Sequence, residues 1–274
     1  MKASHTVRPV FDDPNLVGCA GLLPALLLGE SAGLSGLLGE HLSVDCPNAV
    51  VKSTGVIAGM LTGADSIDDL NVVRHGGMPR LFDNVRAPST YGSFLRSFTH
   101  GHVQQLDAVN TRLLAGLTGR VPGLIKGGSD PDGIAFLDMD DTIREVHGYA
   151  KQAAAYGYSK VFGLNAMLAV VSTPLTAPVI VASSLRRGNT ASGSGSARML
   201  TRAAATVRQA GVAGRLMGRA DPACFRHDLV GNDQSQEVVL GDDSEERGGE
   251  GCDQPATRTG VAPDPVSERG LEIR

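Results

Sequence analysis

The sequence changes period once, between Arg120 and Ile134. Before that point, apolar residues recur at helical spacing. After it, short apolar runs bounded by turn residues read as strands. A chain with this switch must join a helical segment to a sheet. The joining stretch, "VPGLIKGGSDPDG" (121–133), is a linker by its Gly, Pro and Asp content. The expected division is a helical segment over 1–128, an α/β core over 129–230 and a tail over 231–274. A chain of 274 residues has room for one or two domains of this kind.

The helical segment reads as a series of short helices. Asn15–Leu28 and Ser31–Leu42 are Leu-rich, with Gly-Glu-Ser between them. "NAVVKSTGVIAGMLTG" (48–63) carries apolar residues at helical spacing. "DSIDDLNVVRHGG" opens on an Asp/Ser cap and closes on Gly. "APSTYGSFLRSF" (87–98) and "THGHVQQLDAVNTRLLAGLTGR" (99–120) complete the set. Short helices with small turns suit a helix-turn-helix-like DNA-binding module. Residues 1–128 hold ten bases and ten acids, so their charge lends that reading no support.

In the core, strands are expected at Ile134–Asp140, Leu164–Val171 and Ala177–Ser184. Gly188–Gly195 is a loop of Gly, Ser and Asn. Ser196–Ala210 is an amphipathic helix, with Ala197, Leu200, Ala204 and Val207 inward and Arg198 and Arg202 outward. "GRLMGRAD" (214–221) is a fourth strand ending on Asp221. No internal repeat is found.

Charge divides unevenly along the chain. Residues 231–274 hold 11 acids and 4 bases without a persistent period, a composition that predicts disorder. Within Arg186–Arg226 stand eight arginines and one acid, Asp221. That band suits phosphates, although a solvated face has the same composition. Cys19, Cys46, Cys224 and Cys252 show neither zinc spacing nor a disulfide framework, which points to a cytoplasmic protein with reduced thiols. The apolar run Leu16–Leu28 is too short to span a membrane, and no membrane partner is expected.

The chemistry concentrates in "IAFLDMDDTI" (134–143). Alternation along a strand puts Asp138 and Asp140 on one face, with Asp141 expected to start the turn. Carboxylates this close repel, and a divalent cation or a phosphate reaction would offset that cost. Oxygen ligands favour Mg²⁺ or Mn²⁺. Asp221, at the end of a later strand, is the second candidate ligand. Asp-x-Asp-x-Thr after an apolar run also resembles the first motif of haloacid-dehalogenase-type phosphatases, with Asp138 as nucleophile and "VVLGDDS" (238–244) as an acidic motif. That chemistry usually needs a Lys between the two motifs, and no Lys follows Lys160. A capped aspartate-rich turn is the non-functional alternative.

A wider set of stretches bears on this: "LDMDDTIREVHGYAKQAAAYGYS", "GLNAMLAVVSTPLTAPVIVASSLRRGN", "GRAD" and "FRHDLV". Together they resemble the catalytic core of bacterial insertion-sequence transposases of the Asp-Asp-Glu class, in the group numbered 1380, actinobacterial type. "HTVRPVFDDPNLV" and "DSIDDLNVVRHGGMPRLFDNVRAPSTYGSFLRSF" resemble the family's N-terminal region. The likeness covers residues 1–230. It implies a ribonuclease-H-like core, two divalent metals and cut-and-paste transposition. Asp140 and Asp221 would be catalytic metal ligands, with Asp138 beside the first. Arg186, Arg187, Arg198, Arg202 and Arg219 would meet DNA phosphates. The implied partners are double-stranded DNA, both transposon ends and target, and a second transposase copy or an intact enzyme. The implied location is the bacterial nucleoid.

The likeness has gaps. Lys160-Val161-Phe162 and Pro222 depart from the family pattern, and the match stops near Val230. No third catalytic Glu is identified. With G/C-ending codons, a one-base shift lets Asn232–Asp242 read Thr-Ile-Ser-Arg-Lys-Lys-Trp-Phe-Ser-Val-Thr, the apolar strand the family would have next. The expectation is a frameshifted, truncated transposase with an incomplete core and little cleavage activity. A non-catalytic fragment that binds transposon ends is the alternative.

Overall fold

The computed structural model describes residues 13–148 and 150–220, together with the backbone of a strand at 238–242. Helices α1 (Leu22–Ser31) and α2 (Leu34–His41) are joined through Gly33, whose φ of 97° suits glycine. Helix α3 spans Ala49–Leu61. The stretch expected to form a further α-helix is instead a 3₁₀ helix, Asp68–Arg74. Helix α4 (Pro88–Arg96) starts where extended Ala87 meets Pro88, whose missing N–H costs nothing in a first turn. Helix α5 (His100–Arg120) is opened by a reciprocal cap, in which the Thr99 N–H donates to Nδ1 of His102 at 3.0 Å. Two small cores hold these helices. One gathers Leu34, Leu38, Phe94 and Val109, and the other Leu22, Ala58, Val73 and Met78.

The sheet follows. Its strands are β1 (Ile134–Glu145), β2 (Ala155–Tyr156), β3 (Phe162–Thr173), β4 (Thr176–Arg187), β5 (Arg215–Ala220) and β6 (Val238–Asp242). Helix α6 (Ser196–Gln209) lies between β4 and β5 in sequence. In space the order is β4-β3-β1-β5-β6, with β2 beside the start of β3. The first three long strands are antiparallel neighbours, and β5 and β6 run parallel to β1. Three antiparallel strands, a crossover helix and parallel strands on the far side of β1 form a ribonuclease-H-like core.

Strand alternation builds the hydrophobic layer. Ala135, Leu137 and Met139 of β1, Met167, Ala169 and Val171 of β3, and Leu216 of β5 are buried. They meet Met199, Leu200, Ala203, Ala204 and Val207, the inward stripe of α6. Leu114 of α5 and Ile125 of the connecting stretch join this same core. The connection is therefore packed rather than a free tether. The helices and the sheet belong to one compact unit.

Two further expectations change. Strand β1 does not stop at Asp140 but runs to Glu145, because Asp141–Glu145 keep pairing with Gly163–Met167. Asp141 is thus a strand residue. The sheet also does not end at β5. Val238–Asp242, within the segment expected to lack structure, pair in parallel with Leu216–Ala220. "VVL" is a short run of high strand propensity in a polar context, and an open neighbouring strand gives it a partner.

Candidate functional site

Strand β1 presents its three aspartates to two different surroundings. Asp141 shares the side of Leu137 and Met139, which faces the buried layer. Its Oδ2 accepts from Nη2 of Arg186 at 2.7 Å and from Nδ2 of Asn165 at 2.6 Å. Both side chains of the ion pair are nearly buried, at 11% and 14% exposed. Arg186 also donates to Oδ1 of Asn165 and to the carbonyls of Ser192 and Ser194. A buried charge needs such saturation to be tolerated. One guanidinium therefore ties β1, β3 and β4 to the loop before α6.

Asp138 and Asp140 share the other face, as alternation requires. Arg219 stands directly across from Asp138 on β5. It donates to both carboxylate oxygens, from Nε at 2.6 Å and Nη2 at 3.0 Å, and its guanidinium lies 4.5 Å from the Phe136 ring centre. Asp140 is exposed, and its Oδ1 accepts the Asp141 N–H at 2.7 Å. The β1–β5 ladder ends with Met139 opposite Ala220. Asp221 is the next residue of the chain and lies outside the described residues.

A divalent ion wants several oxygens free of competing donors. Among the described residues no group of three acidic, histidine or cysteine side chains comes together. Asp138 is already occupied by Arg219. Asp140 alone does not make a site, so the described residues do not fit a bound cation. Asp138 is equally unsuited to be a phosphatase nucleophile, since both its oxygens accept hydrogen bonds from Arg219.

The arginines read from the sequence as phosphate contacts separate into two groups. Arg186 and Arg219 are committed as described. Arg202 pairs with Asp107 of α5 at 3.3 Å and donates to the Ser183 carbonyl at 2.6 Å, fastening α6 to α5 and β4. Arg187 and Arg198 are exposed, and among the described residues neither takes part in an ion pair. Those two remain available to an anion. The Arg186–Asp141–Asn165 cluster escaped sequence reading, because its members lie 24 and 45 residues apart.

Three of the sequence stretches that carry the family likeness meet here by backbone contact. Gly157 is in "YGY", Gly163 in "GLN" and Gly188 in "RRGN". A Cβ at Gly188 would collide with the carbonyl oxygens of Gly163 and Ala155, and one at Gly157 with the Gly188 carbonyl. The Gly188 N–H donates to the Ala153 carbonyl at 3.1 Å. The connection from β1 to β3 is thus pinned to the end of β4.

Comparison with known proteins adds little to this geometry. No protein-family model matches the chain, and no curated protein matches it. Among solved structures, the Mos1 strand transfer complex is 11% identical, with a TM-score of 0.25, over 72% of this chain and 58% of that one. The Mos1 transposase paired-end complex with the left transposon end is 11% identical, with a TM-score of 0.26, over 72% and 59%. The Mos1 mariner paired-end complex with Mn is 13% identical, with a TM-score of 0.24, over 80% and 75%. The chain thus spans under two thirds of the first two. Similarity at this level assigns neither an activity nor a ligand.

Proposed function

We propose that the chain is a DNA-binding protein of the insertion-sequence transposase lineage whose strand-cleaving site is incomplete. The supporting observation is the placement of Asp140. It lies on the central strand of a ribonuclease-H-like sheet, one residue beyond the Met139–Ala220 pair that closes the ladder to β5. Asp221, the second carboxylate that the family likeness names, follows Ala220 in the sequence and lies outside the described residues. Mg²⁺ or Mn²⁺ is the lineage's expected cation, and the partners are transposon-end and target DNA together with a second transposase copy. The segment after Val230 is read as having left the lineage's frame, which removes the third carboxylate. The nucleotide sequence past codon 230 tests that point directly.

The binding role is tested with full-length protein and duplexes carrying the ends of the flanking element, with and without Mg²⁺. Specific retention without strand cleavage is the expected result. Failure to retain any DNA at low salt would sink the reading. Mg²⁺-dependent nicking that disappears in Asp140→Asn would overturn the claim of an incomplete site.

A further inference from the structure

A groove of about 830 Å³ lies between the α4–α5 corner, the connection from β1 to β3 and the end of β4. Its cationic lining comes from Arg96, Lys151 and Arg187, besides the internally bound Arg186, with the imidazoles of His100 and His147 beside them. Among the described residues no Asp or Glu lines it. Arg96, Lys151 and Arg187 are exposed and, among the described residues, take part in no ion pair. A cation cluster without a carboxylate is electrostatically costly in isolation, and a bound polyanion offsets that cost.

Thr99 and Gln152 add polar groups, and much of the remaining lining is apolar. Leu95, Phe98, Val103 and Leu164 contribute to it. The same connection carries two aromatic rings largely in solvent, Tyr156 at 62% and Tyr158 at 105% exposed. Cations interleaved with apolar and aromatic groups suit a nucleic-acid strand whose bases are unpaired, because a duplex hides its base faces. The volume points the same way. It falls within the roughly 300–1,000 Å³ of compact ligand sites, which suits a few nucleotides and not a double helix.

We propose that this groove holds a short single-stranded segment of DNA, with phosphates on Arg96, Lys151 and Arg187 and bases against the apolar lining. The inference rests on the DNA-binding reading above and deepens it. The groove is built in advance. The Gly157, Gly163 and Gly188 contacts fix the Lys151 connection against Arg187 at backbone level, so little ordering cost falls on binding. Val146 in the groove, one residue past the end of β1, lies six residues from Asp140, roughly 20 Å at strand spacing. A strand separated at one point of a DNA end would therefore reach the groove within several nucleotides of the Asp140 position.

The test uses the full chain and fluorescence anisotropy with a labelled twelve-nucleotide single strand and the corresponding duplex. The groove variant is Arg96→Glu with Lys151→Glu. The control, Arg120→Glu with Lys126→Glu, changes charge equally but lies elsewhere. The Lys126 carbonyl accepts from Thr173, at the opposite end of β3 from Phe162. The groove variant is expected to lose at least tenfold in single-strand affinity at unchanged melting temperature, with a salt slope shallower by about 1.4 for two lost phosphate contacts. The control should lose less than twofold. Equal losses in both variants would overturn the groove assignment. Duplex binding that the groove variant retains, with no single-strand binding by the parent, would also overturn it while leaving the broader reading intact. Absence of binding to either probe would remove both.

Discussion

Arg219 and Asp138 face each other across the β1–β5 ladder, two hydrogen bonds joining one guanidinium to one carboxylate. Its consequence falls on Asp140, two residues along the same face. With Arg219 in place, the face carries one uncompensated carboxylate instead of two. The pair is only partly buried, at 30% and 37% exposed, so its own contribution to stability is small, about 1 kcal/mol or less. Arg219→Gln should lower stability by about that much, and millimolar Mg²⁺ should then raise its melting temperature more than that of the parent. Melts of the two proteins with and without Mg²⁺ decide this. An identical response would show that the two carboxylates do not repel through a shared cation position.

Asp141 and Arg186 form the opposite case, a buried pair with all described polar neighbours engaged. Asp141→Ala would strand the guanidinium and should cost about 3–5 kcal/mol. Removing both partners, as Asp141→Asn with Arg186→Met, should cost less than the sum of the single changes. A double-mutant cycle in urea measures that coupling. Additive effects would contradict the geometry.

Gly188→Ala tests the backbone pinning. The new methyl has no room among the Gly163 and Ala155 carbonyls. Overpacking of this kind costs roughly 1–3 kcal/mol. Amide exchange should accelerate from Ala153 to Gly163 before it does in α6. Gly195→Ala, at a position with φ of 80° but open space around it, should cost less and leave that connection protected.

One acid offers a pH-dependent signal. The Asp69 carboxyl is held below its ordinary value first by the Ser66 hydroxyl, at 2.6 Å, then by Asp65 and the Ser66 N–H. A depressed carboxyl adds stability above its unfolded value, and that contribution is lost as pH falls through the folded one. Ser66→Ala should move the Asp69 titration midpoint upward in an NMR titration. An unmoved midpoint would dismiss the hydrogen bond.

The period change at the linker was enough to separate helices from strands, because burial on one face imposes a repeat that local sequence carries. Strand β5 and helix α6 agree with expectation to within about one residue at each end for this reason. Asp141 resisted the same logic. A carboxylate in a strand reads locally as the start of a turn, and what keeps it there is Arg186, which arrives from β4. The arginine band shows the limit again. Its composition is that of a phosphate surface, yet Arg186, Arg202 and Arg219 hold the protein together, while Lys151 and Arg96, from stretches without a basic run, line the groove. Charge counted along a chain does not say which way a guanidinium turns.

Helix α5 lies against β4, the outermost long strand, through the Asp107 bonds to Ser183 and Arg202. It therefore acts as the selvage of the sheet. A protein cut at residue 128 would lose that border and leave β4's free backbone groups to seek another strand. The helical half and the sheet half are different in architecture, but they are not separable reagents.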